Sequence, residues 1–221
     1  MKKAGLFIAT IMAIVTAVCS RAATPDGTDY VHIPTLTDLF ARAPRTVFPL
    51  LDRNTRLDMI DYYNSGMSTP SRNMLGGESR ITGSDSLSLE IAMSGSSAYR
   101  MTLLPARGDT LIALVRTVDL PTPDSDLQLF TTTWQPASGA QGLTLPGLDE
   151  WLKQGIKGTD PDVVNLLPFV TATITIDKDI LTLKPSLDGR YTRDDSTKVA
   201  DAMLPMIQYR WDGNKLRFKK L

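Results

Sequence analysis

Ser86-Leu87-Ser88-Leu89-Glu90-Ile91-Ala92-Met93 decides the fold class. Leu87, Leu89, Ile91 and Met93 alternate with short or polar neighbours, which is the two-residue period of a strand with one buried face. Gly95 and its serines supply a turn, and Tyr99, Met101 and Leu103 continue in a second strand. Gly108-Asp109 turns the chain again into Leu111 to Val118, a more evenly apolar run. Pro121 to Asp124 breaks it before Leu127 to Trp134. Strands joined by such short turns predict an antiparallel meander.

Upstream the period is helical. Pro34 opens a segment in which Leu36, Leu39 and Phe40 recur, and Pro44 ends it. Asp52 is placed to cap a second helix with Leu57, Ile60 and Tyr63 at three-residue steps, and Gly66 stops it. Residues 64–77 read as a loop. The two helices are the natural cover for one face of the meander.

Downstream, residues 137–147 form a linker rich in Gly, Ala and Ser, and the pattern then restarts. Leu148, Trp151 and Leu152 suggest a short helix, and Asp160-Pro161 caps another. Val170, Ala172, Ile174 and Ile176 alternate, Asp177-Lys178-Asp179 turns the chain, and Ile180 to Lys184 returns. Asp194 to Leu204 is one more helix. Ile207, Tyr209 and Trp211, a turn at Asp212-Gly213, then Leu216 and Phe218 complete a hairpin. The fold class is α+β: two N-terminal helices packed on an antiparallel β-meander, then a second helices-plus-antiparallel-hairpins unit. The expected division is 23–136, a linker at 137–147, and 148–221, with one shared sheet as the alternative.

The first 22 residues read as a signal peptide that is removed. Lys2 and Lys3 precede an apolar run from Ala4 to Val18, and Ser20-Arg21-Ala22 supplies a small-residue cleavage site. The alternative is lipid anchoring at Cys19, although Val18 fits the preceding position poorly. The chain carries 24 basic and 24 acidic residues; cleavage deletes Lys2, Lys3 and Arg21 and leaves 21 basic groups, a net charge of about −3. The single Cys leaves with the same segment. The expected location is the periplasm or cell surface, with no transmembrane helix in the mature chain.

The charge balance excludes a nucleic-acid binder. The one His, His32, sits beside the loose polar leader at Thr24 to Asp29, whereas a catalytic His needs a rigid frame and an orienting carboxylate. No Gly-x-Ser-x-Gly, Ser-x-x-Lys or His-Glu-x-x-His occurs. Asp160-x-Asp162 and Asp177-x-Asp179 lack the remaining ligands of a calcium loop. No catalytic residue, metal site or cofactor is assigned. The C-terminal hairpin gathers Arg210, Arg217 and Lys219, with Lys215 and Lys220, as a possible binding surface, or as charges protecting a sheet edge.

Asn54-x-Arg56-Leu57-Asp58-Met59-Ile60-Asp61, Asn73-x-Leu75-Gly76-Gly77-x-Ser79, Leu103-Leu104-Pro105 and Asp124-Ser125 leading to Trp134-Gln135-Pro136 occur in this order. Together they resemble a family of secreted proteins from Bacteroidales-type bacteria with no assigned function, over roughly residues 37–136. The resemblance implies a signal peptide and an extracytoplasmic location. It also implies O-glycosylation at Asp-Ser/Thr triplets, which here are centred on Ser86, Thr110 and Ser196.

The expected function is a non-enzymatic binding or interaction module of the envelope, whose partner is a protein or a surface polymer. The alternative is a carboxylate-dependent hydrolase acting on glycans, drawing on the 21 Asp residues and on pairs such as Asp58/Asp61 and Asp194/Asp195.

Overall fold

The computed structural model describes residues 34–119, 122–187 and 191–221. The signal peptide, Cys19 and His32 lie outside the described residues. Helix α1 (Leu36–Arg42) begins with a capping box: Thr35 Oγ1 accepts from the Asp38 N–H at 3.1 Å, and the Thr35 N–H donates to Asp38 Oδ2 at 3.2 Å. Helix α2 (Arg53–Asn64) is capped by Asp52, whose carboxylate accepts from the Thr55 N–H at 2.8 Å. Gly66 follows α2 with φ +69°.

The buried stripe of α2 is not the expected one. Leu57, Ile60 and Tyr63 are only half-buried, while Met59 and the cationic Arg56 are the buried residues, Arg56 at 3% exposure. The Arg56 guanidinium donates to the Leu51, Ala41 and Ala43 carbonyls at 2.8, 3.3 and 2.7 Å. It thereby satisfies carbonyls at the C-terminal end of α1 and joins the two helices, which is why a charge is buried on this face of α2.

Six strands follow in sequential antiparallel order: β1 (Ser71–Arg72), β2 (Glu78–Ser84), β3 (Ser88–Ser94), β4 (Ser97–Ala106), β5 (Asp109–Val118) and β6 (Asp124–Thr131). β1 falls in the stretch read as loop. Leu87 departs from its expected inward place: it precedes β3 and is 43% exposed, while Ser88 is buried. Asp85 is the reason. Its Oδ1 accepts from both the Leu87 and Ser88 N–H at 2.7 Å, so the chain is still turning there, and the strand's inward set is Leu89, Ile91 and Met93.

One face of this sheet packs on the helices. Leu89, Ile91, Met101, Ile112 and Leu114 share a core with Leu39, Phe40, Phe48, Leu51 and Met59. Trp134 closes it, 5.8 Å from Phe48 and 5.5 Å from Phe130, with its indole N–H donating to the Leu39 carbonyl at 2.9 Å.

The opposite face carries Leu104, Ala106, Leu111, Ala113 and Val115, which belong to the other core. β5 is therefore buried on both faces over Leu111–Val115, and its even apolar run is the signature of that position.

The remaining elements are α3 (Leu148–Trp151), α4 (Gly155–Gly158), α5 (Pro161–Leu166), β7 (Ala172–Asp177), β8 (Ile180–Pro185), α6 (Arg193–Ala202), β9 (Ile207–Asp212) and β10 (Arg217–Lys220). Antiparallel pairing orders the second sheet β10-β9-β8-β7. Ile174, Ile176, Leu181, Leu183, Ile207 and Tyr209 line its inner face with Trp151, Val163 and Val199 of the helices. The outer face alternates as Thr173, Thr175, Thr182, Gln208 and Arg210, none of them buried.

The last hairpin turns over four residues, not two, since Asp212 pairs with Arg217. Asp212 Oδ1 holds the turn by accepting from the Asn214 and Lys215 N–H, and Leu216 takes φ +51°. This tip locks onto the β4–β5 tip. Trp211 Nε1 donates to the Pro105 carbonyl at 2.7 Å, and the Arg107 N–H donates to the Gly213 carbonyl at 3.1 Å. A Cβ on Gly213 would stand 2.4 Å from the Pro105 oxygen. Between the sheets, residues 137–147 keep backbone contacts on both sides: the Ala137 N–H donates to Leu129, and the Gln141 N–H to Leu216.

Candidate interaction site

The second face of the six-stranded sheet is only partly covered. Register places Arg80 opposite Ala92, Gly83 opposite Glu90, and Glu90 opposite Arg100, so these side chains share the uncovered part. With Thr82, Thr117 and the facing Ile174 and Thr175 of β7, they border a groove of about 200 Å³. Arg100 Nη1 donates to Glu90 Oε1 at 2.6 Å, while Arg100 Nε is buried without a hydrogen-bond partner. Glu90 is thereby committed to a cation and does not face a second carboxylate across the groove as a glycosidase pair would.

Two further depressions flank β2. One lies among Pro70, Glu78, Arg80, Ala92 and Ser94, at about 360 Å³. The other lies among Tyr63, Met67, Arg80, Ile81 and Thr82, at about 410 Å³. Arg80 borders both and has no ion-pair partner among the described residues. Reading Arg80, Ile81 and Thr82 as an alternating triplet would have placed a strand here, but the Ser, Gly and Thr around it carry the composition of a loop.

The C-terminal cations do come together. Pairing sets Lys219 opposite Arg210 and Arg217 opposite Asp212 on the outer face of the second sheet. Arg210 Nε lies 3.5 Å from Asp179 Oδ2, so part of the positive charge is neutralised in place, and Arg217 stands opposite Asp212 in register. Lys220 turns the other way and bonds Glu150 Oε2 at 2.7 Å, a contact that holds the Glu150 carboxyl below its ordinary range. Tyr209 and Trp211 point inward, Trp211 4.9 Å from Phe218.

Of the three triplet hydroxyls, Ser86 is exposed at a bend, whereas Thr110 in β5 and Ser196 in the first turn of α6 are half-buried. Their preceding carboxylates serve the backbone and its caps. Asp85 holds the turn before β3, Asp109 Oδ1 accepts from the Thr110 N–H, and Asp195 Oδ2 accepts from Thr192 Oγ1 at the start of α6. Asp58 and Asp61 are exposed on α2. Asp160 Oδ1 caps α5 by accepting from the Asp162 N–H. Among the described residues no group of three or more His, Cys, Asp or Glu is placed to hold a metal ion, and no helix is long and apolar enough to cross a membrane.

The family described as "Protein of unknown function (DUF3256)" matches residues 30–216. The match therefore extends well past residue 136, where the recognisable sequence features stop. No curated protein matches the chain. A solved structure, of a domain of an uncharacterized protein from Porphyromonas gingivalis W83, is similar in fold: the TM-score is 0.68 at 18% identity, over 84% of this chain and 97% of that one.

Proposed function

This chain belongs to the DUF3256 family of proteins of unknown function, and from that premise we propose that it is an exported, non-enzymatic interaction module of the cell envelope whose partner is a protein. The observation that carries the reading is the uncovered part of the six-stranded sheet, where Arg80, with no ion-pair partner among the described residues, and the Arg100–Glu90 pair border open grooves. A rigid sheet offering charged groups beside unfilled depressions suits recognition of another chain. Export rests on Lys2, Lys3, the Ala4–Val18 run and the Ser20-Arg21-Ala22 site.

The test is fractionation of the native host with mass analysis of the purified chain, followed by cross-linking in intact cells. Recovery in the envelope fraction with the N-terminus at Ala23, and a discrete cross-linked species, is the expected result. A cytoplasmic chain that retains Met1, or one that stays free in every cross-linking condition, removes the proposal. The same mass measurement tests O-glycosylation, for which exposed Ser86 is the favoured of the three positions. A mass equal to the bare cleaved chain excludes it.

A further inference from the structure

β2 is longer than the strand beside it. β1 pairs only Ser71 with Ser79 and Arg72 with Glu78, while β3 accompanies β2 as far as Ser84. Residues 80–84 therefore form a sheet edge with no strand on their outer side among the described residues. Every second backbone amide and carbonyl of such an edge points outward and is matched by another extended backbone.

We propose that Arg80–Ser84 is a strand-addition site that takes an extended, alternately acidic and apolar segment of a partner protein as a new edge strand. This rests on the interaction-module reading above and names the mode and chemistry of its partner.

Three observations choose the occupant. First, an added strand projects successive side chains to opposite faces, and β2 has a depression on each: one beside Arg80 and Ala92, the other beside Tyr63, Met67 and Ile81. Second, the two depressions differ in lining. Arg80 borders both and has Glu78 beside it in the first; an exposed cation with no ion-pair partner among the described residues, it selects an acidic side chain. Met67, 49% exposed next to half-buried Tyr63, selects an apolar one on the alternate position.

Third, the edge is less shielded than β10 in the other sheet, with one exposed cation and a bulge but no bridging segment beside Arg80–Ser84 among the described residues. On β10, exposed Lys219 and Lys220 guard the strand, and Gln141 bridges to Arg217. The bulge between Ile81 and Gly83 bends β2 and limits the added strand to a few residues, consistent with a short recognition segment.

The experiment measures binding of fluorescent eight-residue peptides to the full chain by anisotropy. The peptides alternate Asp with Val, Lys with Val, or Asp with Val carrying alternate backbone N-methyl groups. The Asp–Val peptide is expected to bind. N-methylation and the Lys exchange should each weaken it about tenfold or more, by removing the edge hydrogen bonds and the charge match. Arg80→Glu should invert the preference between the Asp and Lys peptides, and Arg210→Glu in the second sheet should change neither. Failure of the Asp–Val peptide to bind, equal binding of its N-methylated form, or indifference to Arg80→Glu overturns the proposal.

Photo-cross-linkers placed at Thr82 and at Thr182 in cells separate the two levels. Cross-links from Thr182 that persist in Arg80→Glu, with none from Thr82, leave the interaction role standing and remove this site. No cross-link from either position removes both.

Discussion

The two sheets are built from the same antiparallel pairing but are covered differently. In the first, β5 lies between two cores: Ile112 and Leu114 face the helices α1 and α2, while Leu111, Ala113 and Val115 face the other way. In the second, β8 has one buried face, Leu181 and Leu183, and one open face, with Thr182 half-buried and Lys184 exposed. Burial on both faces erases the period of two, and burial on one preserves it. The same covering leaves the first sheet with an uncovered corner at β2 and the second with a mostly polar back, Ile180 being its apolar member.

Substitutions along the two strands should separate these cases. The largest effect is expected from Leu114→Ala, which opens a void in the fully buried core beneath the helices and lowers the unfolding free energy by about 4 kcal/mol in urea titration. A loss below about 1 kcal/mol would mean that the core collapses around the void and that β5 is not held from both sides.

Gly213→Val attacks the place where the tips of the two sheets meet. Its Cβ would stand 2.4 Å from the Pro105 oxygen, so a loss of about 3 kcal/mol is expected, with reduced quenching of Trp211 fluorescence as the tips part.

Arg56→Met keeps the apolar stem and removes three hydrogen bonds to the carbonyls of Ala41, Ala43 and Leu51. About 2 kcal/mol is expected, with faster amide exchange at the end of α1 as the local sign that the helices have separated.

Asp85→Asn probes the turn that sets the inward face of β3. The hydrogen bonds from Ser88 and Leu87 hold the Asp85 carboxyl below its ordinary 3.8 in the folded chain. A depressed folded pKa stabilises the fold above the unfolded value, and that contribution is lost as pH falls through the folded value. The melting temperatures of the chain and of Asp85→Asn should therefore differ near neutral pH and converge as the pH falls below the unfolded Asp pKa of about 3.9 and through the lower folded value. A gap that is constant with pH would show that the charge plays no part in the turn.

The smallest effect is expected from Thr182→Val on the open back of β8, within about 0.5 kcal/mol of the parent.

Particular residues show how far the fold was legible. Asp52, Gly66, Asp160-Pro161 and the Ile174/Ile176 alternation act locally, within one turn or one strand, and their structural places match their sequence patterns. Leu87 and Ser88 were exchanged because an Asp side chain, not hydrophobicity, sets where β3 begins. The burial of Arg56 was not legible, because its three acceptors belong to residues up to 15 positions away. The hairpin turn at Asp212 was read as two residues because Asp-Gly favours that form. Here the Asp carboxylate instead gathers the next two available N–H groups into a wider loop, and Gly213 is reserved for the approach of Pro105.

The candidate site was the least legible part. Arg210, Arg217 and Lys219 were found by composition, and pairing does place them on one face. The open edge of β2 leaves no trace in composition, because it depends on β1 pairing only from Ser71 onward, opposite Ser79.

The sequence alone determined the α+β class, the meander, most element ends and the pattern of exposed and buried positions on the second sheet. These follow from turn chemistry, caps and two periodicities, all of which act over a few residues. Only the tertiary structure decided that β5 is shared by two cores, that a buried guanidinium joins α1 to α2, that the two hairpin tips interlock at Gly213, and that β2 outruns its neighbour. Each of these is a contact between segments far apart in the chain. Local chemistry limits which contacts can form, and packing of the whole molecule selects among them.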